Sequence, residues 1–127
     1  MRILGLDHYN LAAPKELLEE LRAFYTETVG LTVGERPPFS AFGYWLYAGK
    51  QPVLHLSESD HVMPASDPSK ATFNHAAFSC AGLAEAEQRL HRLGVRYRTA
   101  RIPDLGIVQL FFSDPAGNGV ELNFPKG

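Results

Sequence analysis

The sequence predicts an α+β fold built from two copies of a β-α-β-β-β module. Each half contains one amphipathic helix, and a glycine, Gly30 or Gly94, follows its last apolar position. One β-forming run precedes each helix and three follow it. Between the halves lies a stretch rich in Ser, Asp and Pro, which predicts a linker. We therefore expect a first module at residues 1–57, a linker at 58–71 and a second module at 72–127.

The first module begins with a strand predicted over residues 3–11. Pro14 then opens a helix in the first turn, where a missing N–H costs little. The apolar positions of this helix recur at helical spacing: Leu17, Leu18, Leu21, Phe24 and Tyr25. After Gly30, three runs typical of strands follow at residues 31–35, 42–48 and 52–57.

The second module repeats this order. A strand is predicted over residues 72–80 and a helix over 83–93, with Gly94 as its end. Strands are then expected at residues 95–101, 107–113 and 119–124. The turn between the last two, from Asp114 to Gly119, contains Pro, Asn and two glycines, which suit a tight connection.

An internal duplication explains the repeated order. His75 follows His8 by 67 residues, Gly94 follows Gly30 by 64, and Glu121 follows His55 by 66. The separations agree within three residues. The duplication therefore places four polar residues at equivalent strand positions, in a way that scattered surface groups rarely reproduce.

These four residues are candidate ligands for a divalent metal ion. Each lies among hydrophobic residues in a predicted strand, so all four can face one concave surface. Two histidines and a carboxylate are the usual set for non-haem Fe(II), and Zn, Ni, Co or Mn is also compatible. Taken singly, each residue could equally be an ordinary core or surface group. Only the joint pattern favours a metal site.

Two longer segments carry a family resemblance. The runs FYTETVGLTVGE and QLFFSDPAGNGVELNF, together with the duplication and the first-strand histidines, resemble the vicinal oxygen chelate superfamily of glyoxalase, bleomycin-resistance and extradiol-dioxygenase proteins. The resemblance implies a cup-shaped, partly open mixed β-barrel with its helices outside. It also implies one metal ion inside the cup and a substrate that chelates it through two neighbouring oxygens. By this resemblance His8, His75 and Glu121 match the metal-ligand positions, and Glu121 takes part in catalysis.

His55 departs from the best-known members of this superfamily. Glyoxalases hold a Glu at this position, as ligand and catalytic base, and the related acyl-CoA epimerase holds a Gln. A histidine here could be a fourth ligand or a neutral catalytic base beside the metal. If it binds the ion, two octahedral positions remain, which favours proton-transfer chemistry. If it stands off, dioxygen could bind as well.

Two functions from different classes follow. The first is a metal-dependent lyase, isomerase or ring-cleaving dioxygenase acting on a small oxygenated molecule. The second is a non-catalytic protein that binds a small molecule or antibiotic, as bleomycin-resistance proteins do. Candidate substrate-binding residues are Asn10, Trp45, Gln109, Phe111 and Asn123.

Composition narrows the range of partners. A net charge of −2 without any basic run argues against nucleic-acid binding. The single cysteine, Cys80, cannot form an internal disulfide, and the first residues lack the apolar segment of a signal peptide or membrane anchor. We therefore expect a cytoplasmic protein. Each module holds only two of the four candidate ligands, so two modules must pair, and the resemblance allows this within one chain or between two chains. Related small proteins of the superfamily are commonly homodimers, so we expect a homodimer whose metal sites form across the subunit interface rather than within a chain.

Overall fold

The computed structural model describes residues 1–59 and 68–125 of the chain, so residues 60–67 of the predicted linker lie outside it. The chain divides into two compact units, Met1–Ser66 and Asp67–Gly127. No helix within the described residues is long and apolar enough to cross a membrane.

The first unit contains one helix and one four-stranded sheet. Strand β1 spans Tyr9–Ala13 and helix α1 spans Lys15–Phe24; a π-helical turn, Tyr25–Val29, extends the helix to Gly30, whose φ is 97°. The remaining strands are β2 (Thr32–Gly34), β3 (Gly43–Ala48) and β4 (Gln51–Glu58). The sheet order is β1-β4-β3-β2, with β1 parallel to β4 and the other pairs antiparallel.

The second unit repeats this topology. Its elements are β5 (His75–Ser79), α2 (Leu83–Arg92), β6 (Arg98–Ile102), β7 (Ile107–Ser113) and β8 (Gly119–Phe124), with 3₁₀ turns at Pro68–Lys70 and Pro103–Leu105. The sheet order is β5-β8-β7-β6, and the parallel pair is again the outer one, β5 with β8. The predicted α+β class and the two β-α-β-β-β modules are therefore confirmed.

Each unit buries an apolar core. Leu18 and Leu21 of α1 are buried, as are Leu54 and Leu56 of β4. Burial of each such leucine stabilises the fold by about 2 kcal/mol. Because side chains alternate along a strand, His55, which lies between these two leucines, faces the other side of the sheet. The apolar pattern of β4 thus sets the direction of the histidine.

Several predicted boundaries are wrong. Strand β1 begins at Tyr9 rather than at residue 3, and Ile3, Leu4 and Leu6 are exposed. Tyr9 pairs with Leu54, so an extension of β1 toward the N-terminus would soon lie opposite Pro52, which has no N–H to continue a ladder. Hydrophobic residues form a strand only where a partner strand is available.

In the second unit two strands also begin about three residues after their predicted first residue. β5 starts at His75 rather than at residue 72, and β6 at Arg98 rather than at residue 95. Each strand starts at the residue where pairing starts, opposite Gly119 and Phe111 respectively. At the other boundary Glu58 belongs to β4 and not to the linker.

Candidate metal and substrate site

His75 and Glu121 form a close pair in the second unit. His75 begins β5, and Glu121 lies in the middle of β8, the parallel neighbour of β5. The distance from His75 Nε2 to Glu121 Oε2 is 3.0 Å. Glu121 is only 6% exposed, so its carboxylate needs a compensating positive charge or hydrogen bonds.

Neighbouring amides fix the orientation of both groups. Nδ1 of His75 donates a hydrogen bond to Oδ1 of Asn74 at 2.7 Å, which leaves Nε2 with a lone pair in the neutral ring. Nε2 of Gln109 donates to Oε1 of Glu121 at 2.6 Å, which leaves Oε2 facing the histidine. Two acceptor atoms at this separation repel each other unless a proton or a cation stands between them.

A divalent metal ion fits this pair. Nitrogen and oxygen ligands bind such ions at about 2.1 Å, so two ligands at neighbouring octahedral positions lie about 3.0 Å apart. The measured Nε2–Oε2 distance agrees with this spacing. The hydrogen bonds from His75 to Asn74 and from Gln109 to Glu121 are of the kind that orients metal ligands in known sites.

The first unit arranges its two histidines differently. The imidazole of His55 stacks on the ring of His8, with centroids 3.7 Å apart and an interplanar angle of 15°. It also stacks on the indole of Trp45, at 4.1 Å and 9°. Sheet pairing explains this packing, because Trp45 of β3 and Asn10 of β1 lie directly opposite His55 of β4.

His55 is a neutral group with an unused nitrogen. Its Nε2 is buried and has no hydrogen-bond partner among the described residues. Burial lowers the pKa of His55, and the nearby charge of His8 lowers it further, although a backbone hydrogen bond with Pro52 and the charge of Asp7 act in the opposite direction. A neutral, unpartnered imidazole nitrogen is suited to bind a metal ion or to accept a proton.

His8 has the same local support as its counterpart His75. Its Nδ1 lies 2.6 Å from Oδ1 of Asp7, the residue just before it, which leaves Nε2 available. In the stack, however, the planes of His8 and His55 are nearly parallel, so their lone pairs do not converge on one point. His8 lies just outside β1 with 38% of its side chain exposed, so of the two rings it has more room to turn.

A cavity of about 420 Å³ opens beside this stack in the first unit. Asn10 and Ser57 supply polar atoms to its wall and bond to each other, with Nδ2 of Asn10 donating to Oγ of Ser57 at 2.9 Å. Its lining residues are Asp7, His8, Asn10, Arg36, Phe39, Trp45, His55, Leu56 and Ser57. Rings, amide and hydroxyl groups together form the wall expected of a small-molecule site.

The structure gathers the predicted site residues into two groups, one in each unit. His8, His55, Asn10 and Trp45 are together in the first unit, and His75, Glu121, Gln109 and Phe111 in the second. Asn123 lies on the same face of β8 as Glu121, and its Oδ1 is buried without a hydrogen-bond partner among the described residues.

The binding of one ion by all four candidate ligands stays a prediction. Among residues 1–59 and 68–125, no three His, Cys, Asp or Glu side chains form a cluster able to hold a metal ion.

Five residues of these groups were not assigned to the site from the sequence, although Phe39 was expected there as part of the core or cup wall, and some of the five carry a signal. Asp7 and Asn74 each directly precede a candidate histidine, and Ser57 precedes Asn123 by 66 residues, so the duplication could have identified all three. Arg36 and Phe39 carry no such signal, because they lie between β2 and β3 and their roles depend on how that loop folds back.

Comparison with known proteins agrees with this fold. The sequence profile described as Glyoxalase/Bleomycin resistance protein/Dioxygenase superfamily matches residues 5–122. The match covers nearly the whole chain, so the protein belongs to this superfamily, as the resemblance implied.

Individual relatives are consistent with this assignment. The chain is 28% identical to Glyoxylase I 4 of Arabidopsis thaliana, over 96% of this chain and 71% of that protein. A glyoxalase family protein from Bacillus anthracis is 32% identical with a TM-score of 0.76, covering 99% of this chain and 100% of its own. Lactoylglutathione lyase from Agrobacterium tumefaciens shares the fold at 23% identity, with a TM-score of 0.67 and coverage of 98% and 96%.

Proposed function

We propose that this protein is a metal-dependent enzyme acting on a small substrate that chelates the metal through two neighbouring oxygens. The single observation that carries the proposal is the contact between Nε2 of His75 and Oε2 of Glu121 at 3.0 Å. Asn74 and Gln109 hold the other polar atoms of this pair, so both inward-facing atoms are acceptors that require a cation or proton.

We assign His8, His75 and Glu121 as the ligands of one divalent ion, which can be Fe, Zn, Ni, Co or Mn. When bound, the ion would supply Lewis acidity that polarises a substrate oxygen. Membership of the superfamily supports this role, because relatives that match along nearly the whole chain are named as glyoxalases.

His55 is assigned as the fourth ligand or the catalytic base. Its ring is kept neutral by burial and its Nε2 is unpartnered within the described residues, so it can take a proton from a substrate carbon or hydroxyl. As a metal ligand, His55 favours a lyase or isomerase; as a base beside the metal, it is also compatible with a ring-cleaving dioxygenase. Asn10, Trp45 and Ser57 line the neighbouring cavity and would orient the substrate beside His55.

Metal analysis of protein purified without a histidine tag tests the proposal. We expect close to one equivalent of a transition metal per chain, either as purified or after adding Zn, Ni, Fe(II) or Mn. Metal-loaded protein is then screened with catechols and with thiol adducts of α-keto aldehydes. A metal content below about a tenth of an equivalent per chain under every condition would reject the proposal of a metal-dependent enzyme.

One observation favours a second candidate, a non-catalytic protein that binds a planar small molecule. The cavity of the first unit is walled by the rings of Trp45 and Phe39, which offer flat apolar surfaces for stacking. Absence of metal uptake combined with tight binding of a planar compound would support this alternative.

We further propose a homodimer in which each metal site takes ligands from two chains. Each unit holds only two of the four candidate ligands, so neither unit can complete the site alone. The exposed apolar residues Ile3, Leu4 and Leu6 support association, because such groups are usually covered in a native assembly.

Mixing two inactive variants tests this assembly. A dimer of one His8→Ala chain and one Glu121→Ala chain would contain one intact site if sites are shared, and activity would return. Sites confined to single chains would restore none. A monomer at micromolar concentration would reject the dimer.

A further inference from the structure

Arg36 of the first unit packs against Gly43, the residue that is equivalent to Gln109 of the second unit. Gln109 of β7 lies opposite Asn123, and its side chain bonds to Glu121. The equivalent residue of β3 is Gly43, which lies opposite Ser57 and has no side chain. A Cβ atom on Gly43 would meet the carbonyl oxygen of Leu56 and would also lie 3.0 Å from Nη2 and 3.3 Å from Cζ of Arg36. The guanidinium therefore packs closely against this glycine.

The charge of Arg36 has no carboxylate partner among the described residues. Nη2 donates to the carbonyl oxygen of Ala41 at 2.9 Å, and Cζ lies 4.9 Å from the ring centroid of Phe39. Nε is buried and lacks a hydrogen-bond partner within the described part of the chain. The guanidinium therefore keeps N–H groups that have no protein acceptor in residues 1–59 and 68–125, and a ligand oxygen can satisfy those that face the cavity.

The cavity places this cation among the candidate substrate-binding groups. Arg36 lines it together with His55, Trp45 and Phe39. A guanidinium presents adjacent N–H groups in a plane, which matches the two oxygens of a carboxylate. Trp45 and Phe39 present aromatic faces in the same cavity, with centroids 6.2 Å apart.

We propose that Arg36 binds a carboxylate of the substrate, whose planar or aromatic part packs against Trp45 and Phe39. The inference names a substrate class for the proposed enzyme and in that sense rests on the proposed function. Arg36 is then the residue that selects small planar acids over neutral molecules of the same shape.

The lining favours a single negative charge over a phosphate or phosphonate. Arg36 is the only Lys or Arg among the described residues that line this cavity, and Asp7 lies in the same wall. A dianionic group normally takes several cationic or N–H donors, and a neighbouring carboxylate would repel it. A monocarboxylate matches the one available cation.

Fluorescence of Trp45 gives a direct test, because it is the only tryptophan of the chain and it lines the cavity. Metal-free protein, prepared with a chelator, is titrated with benzoate and with benzamide, its neutral analogue. We expect benzoate to quench Trp45 saturably and to bind at least about tenfold more tightly than benzamide. Working without metal ensures that the carboxylate is not simply coordinated by an ion.

Arg36→Gln should weaken benzoate binding at least about tenfold and leave benzamide unchanged. Arg96→Gln, which removes an exposed arginine of the second unit, is the matched control and should bind benzoate as the wild type does. Circular dichroism checks that both variants are folded.

Three results would overturn the proposal: equal binding of benzoate by Arg36→Gln and wild type, equal binding of benzoate and benzamide by the wild type, or no saturable quenching up to about 20 mM benzoate. A failure of metal binding would instead reject the proposed enzyme and leave this test intact. The carboxylate-binding role of Arg36 and the proposed metal-dependent enzyme can therefore be rejected independently of each other.

Discussion

The two units share one topology but hold their candidate ligands by different physical means. In the second unit a histidine donates a hydrogen bond to the side-chain amide of Asn74, and a buried glutamate accepts one from the side-chain amide of Gln109. In the first unit two histidine rings stack with an indole beside a cavity. The second unit is therefore arranged for a cation, and the first for a flat ligand and a neutral base.

One pair of equivalent positions contributes to this difference. The side-chain amide of Gln109 donates a hydrogen bond to Glu121. Gly43 has no side chain, and the guanidinium of Arg36, which lies in the loop between β2 and β3, packs against it. Duplication gave the two units the same scaffold, and different side chains at equivalent positions, such as His55 and Glu121 or Gly43 and Gln109, gave them different chemistry. Substitutions at these positions therefore test whether the two units bind different ligands.

The largest effects are expected where two glycines permit close contact. An added Cβ on Gly119 would lie 2.8 Å from Cβ of His75 and would also meet the carbonyl oxygen of Asn74. One on Gly43 would meet the carbonyl oxygen of Leu56 and the guanidinium of Arg36. Each Gly→Ala variant should lose about 2 kcal/mol in free energy of unfolding, measured with urea.

Ligand binding should separate the two variants. Gly119→Ala should weaken metal binding about tenfold or more and leave benzoate binding unchanged, because it displaces His75. Gly43→Ala should weaken benzoate binding more than metal binding, because the added Cβ meets the guanidinium of Arg36 as well as the carbonyl oxygen of Leu56. If either variant weakened metal binding and benzoate binding equally, the two sites would not be the distinct structures described above.

An intermediate effect is expected from Gln109→Leu. This change keeps the approximate size of the side chain and removes the donor that bonds to Oε1 of Glu121. Metal affinity should fall about 10- to 100-fold, because groups that orient a ligand typically contribute this much. Isothermal titration with Zn²⁺ measures it.

The control for this variant is Gln88→Leu, on the exposed side of α2. It should bind Zn²⁺ as tightly as the wild type. Equal losses in both variants would show that Gln109 has no specific role in orienting Glu121.

The smallest effect concerns the opposite face of the first sheet. Tyr44 donates to Oε1 of Glu19 at 2.6 Å and Nε of Arg22 donates to Oε2 at 3.1 Å. These hydrogen bonds, that from Tyr44 first, lower the pKa of Glu19. A lowered folded-state pKa gives stability that is present above the unfolded-state pKa, about 4.3, and is lost as pH falls through the folded-state value.

Glu19→Gln should therefore reduce the free energy of unfolding at pH 7 by about 0.5 kcal/mol, a value typical of exposed ion pairs. The difference from wild type should shrink in acid, below about pH 4. Urea unfolding from pH 3 to pH 7 measures it, and benzoate binding at pH 7 should be unchanged. A difference that is constant across this range would contradict the assigned cause of the pKa shift.

Much of the fold could be predicted from the sequence because it depends on local patterns. Both helices, the glycines that follow them and the bounds of β7 and β8 follow from periodicity and turn residues. The start of β1 could not be predicted, because it depends on which residues of β4 are available to pair with it. Strand ends are set by partners that are distant in the sequence.

The site divides in the same way. The duplication identified His8, His55, His75 and Glu121, because equivalent positions in a repeat can be recognised from their spacing in the sequence. It could not reveal that His55 would be enclosed by rings or that Arg36 would pack against Gly43. These contacts arise from packing between a loop and a strand, which no spacing records.

The most direct test of the central claim is the affinity of Glu121→Gln for Zn²⁺, measured by equilibrium dialysis beside wild type and the exposed control Glu85→Gln. The substitution keeps the shape of the side chain and removes the charge that faces His75. We predict about one ion per chain in wild type and control, and an affinity at least about 100-fold lower in Glu121→Gln, with an unchanged circular dichroism spectrum. Equal affinity in all three proteins would show that Glu121 is not a metal ligand and would contradict the account.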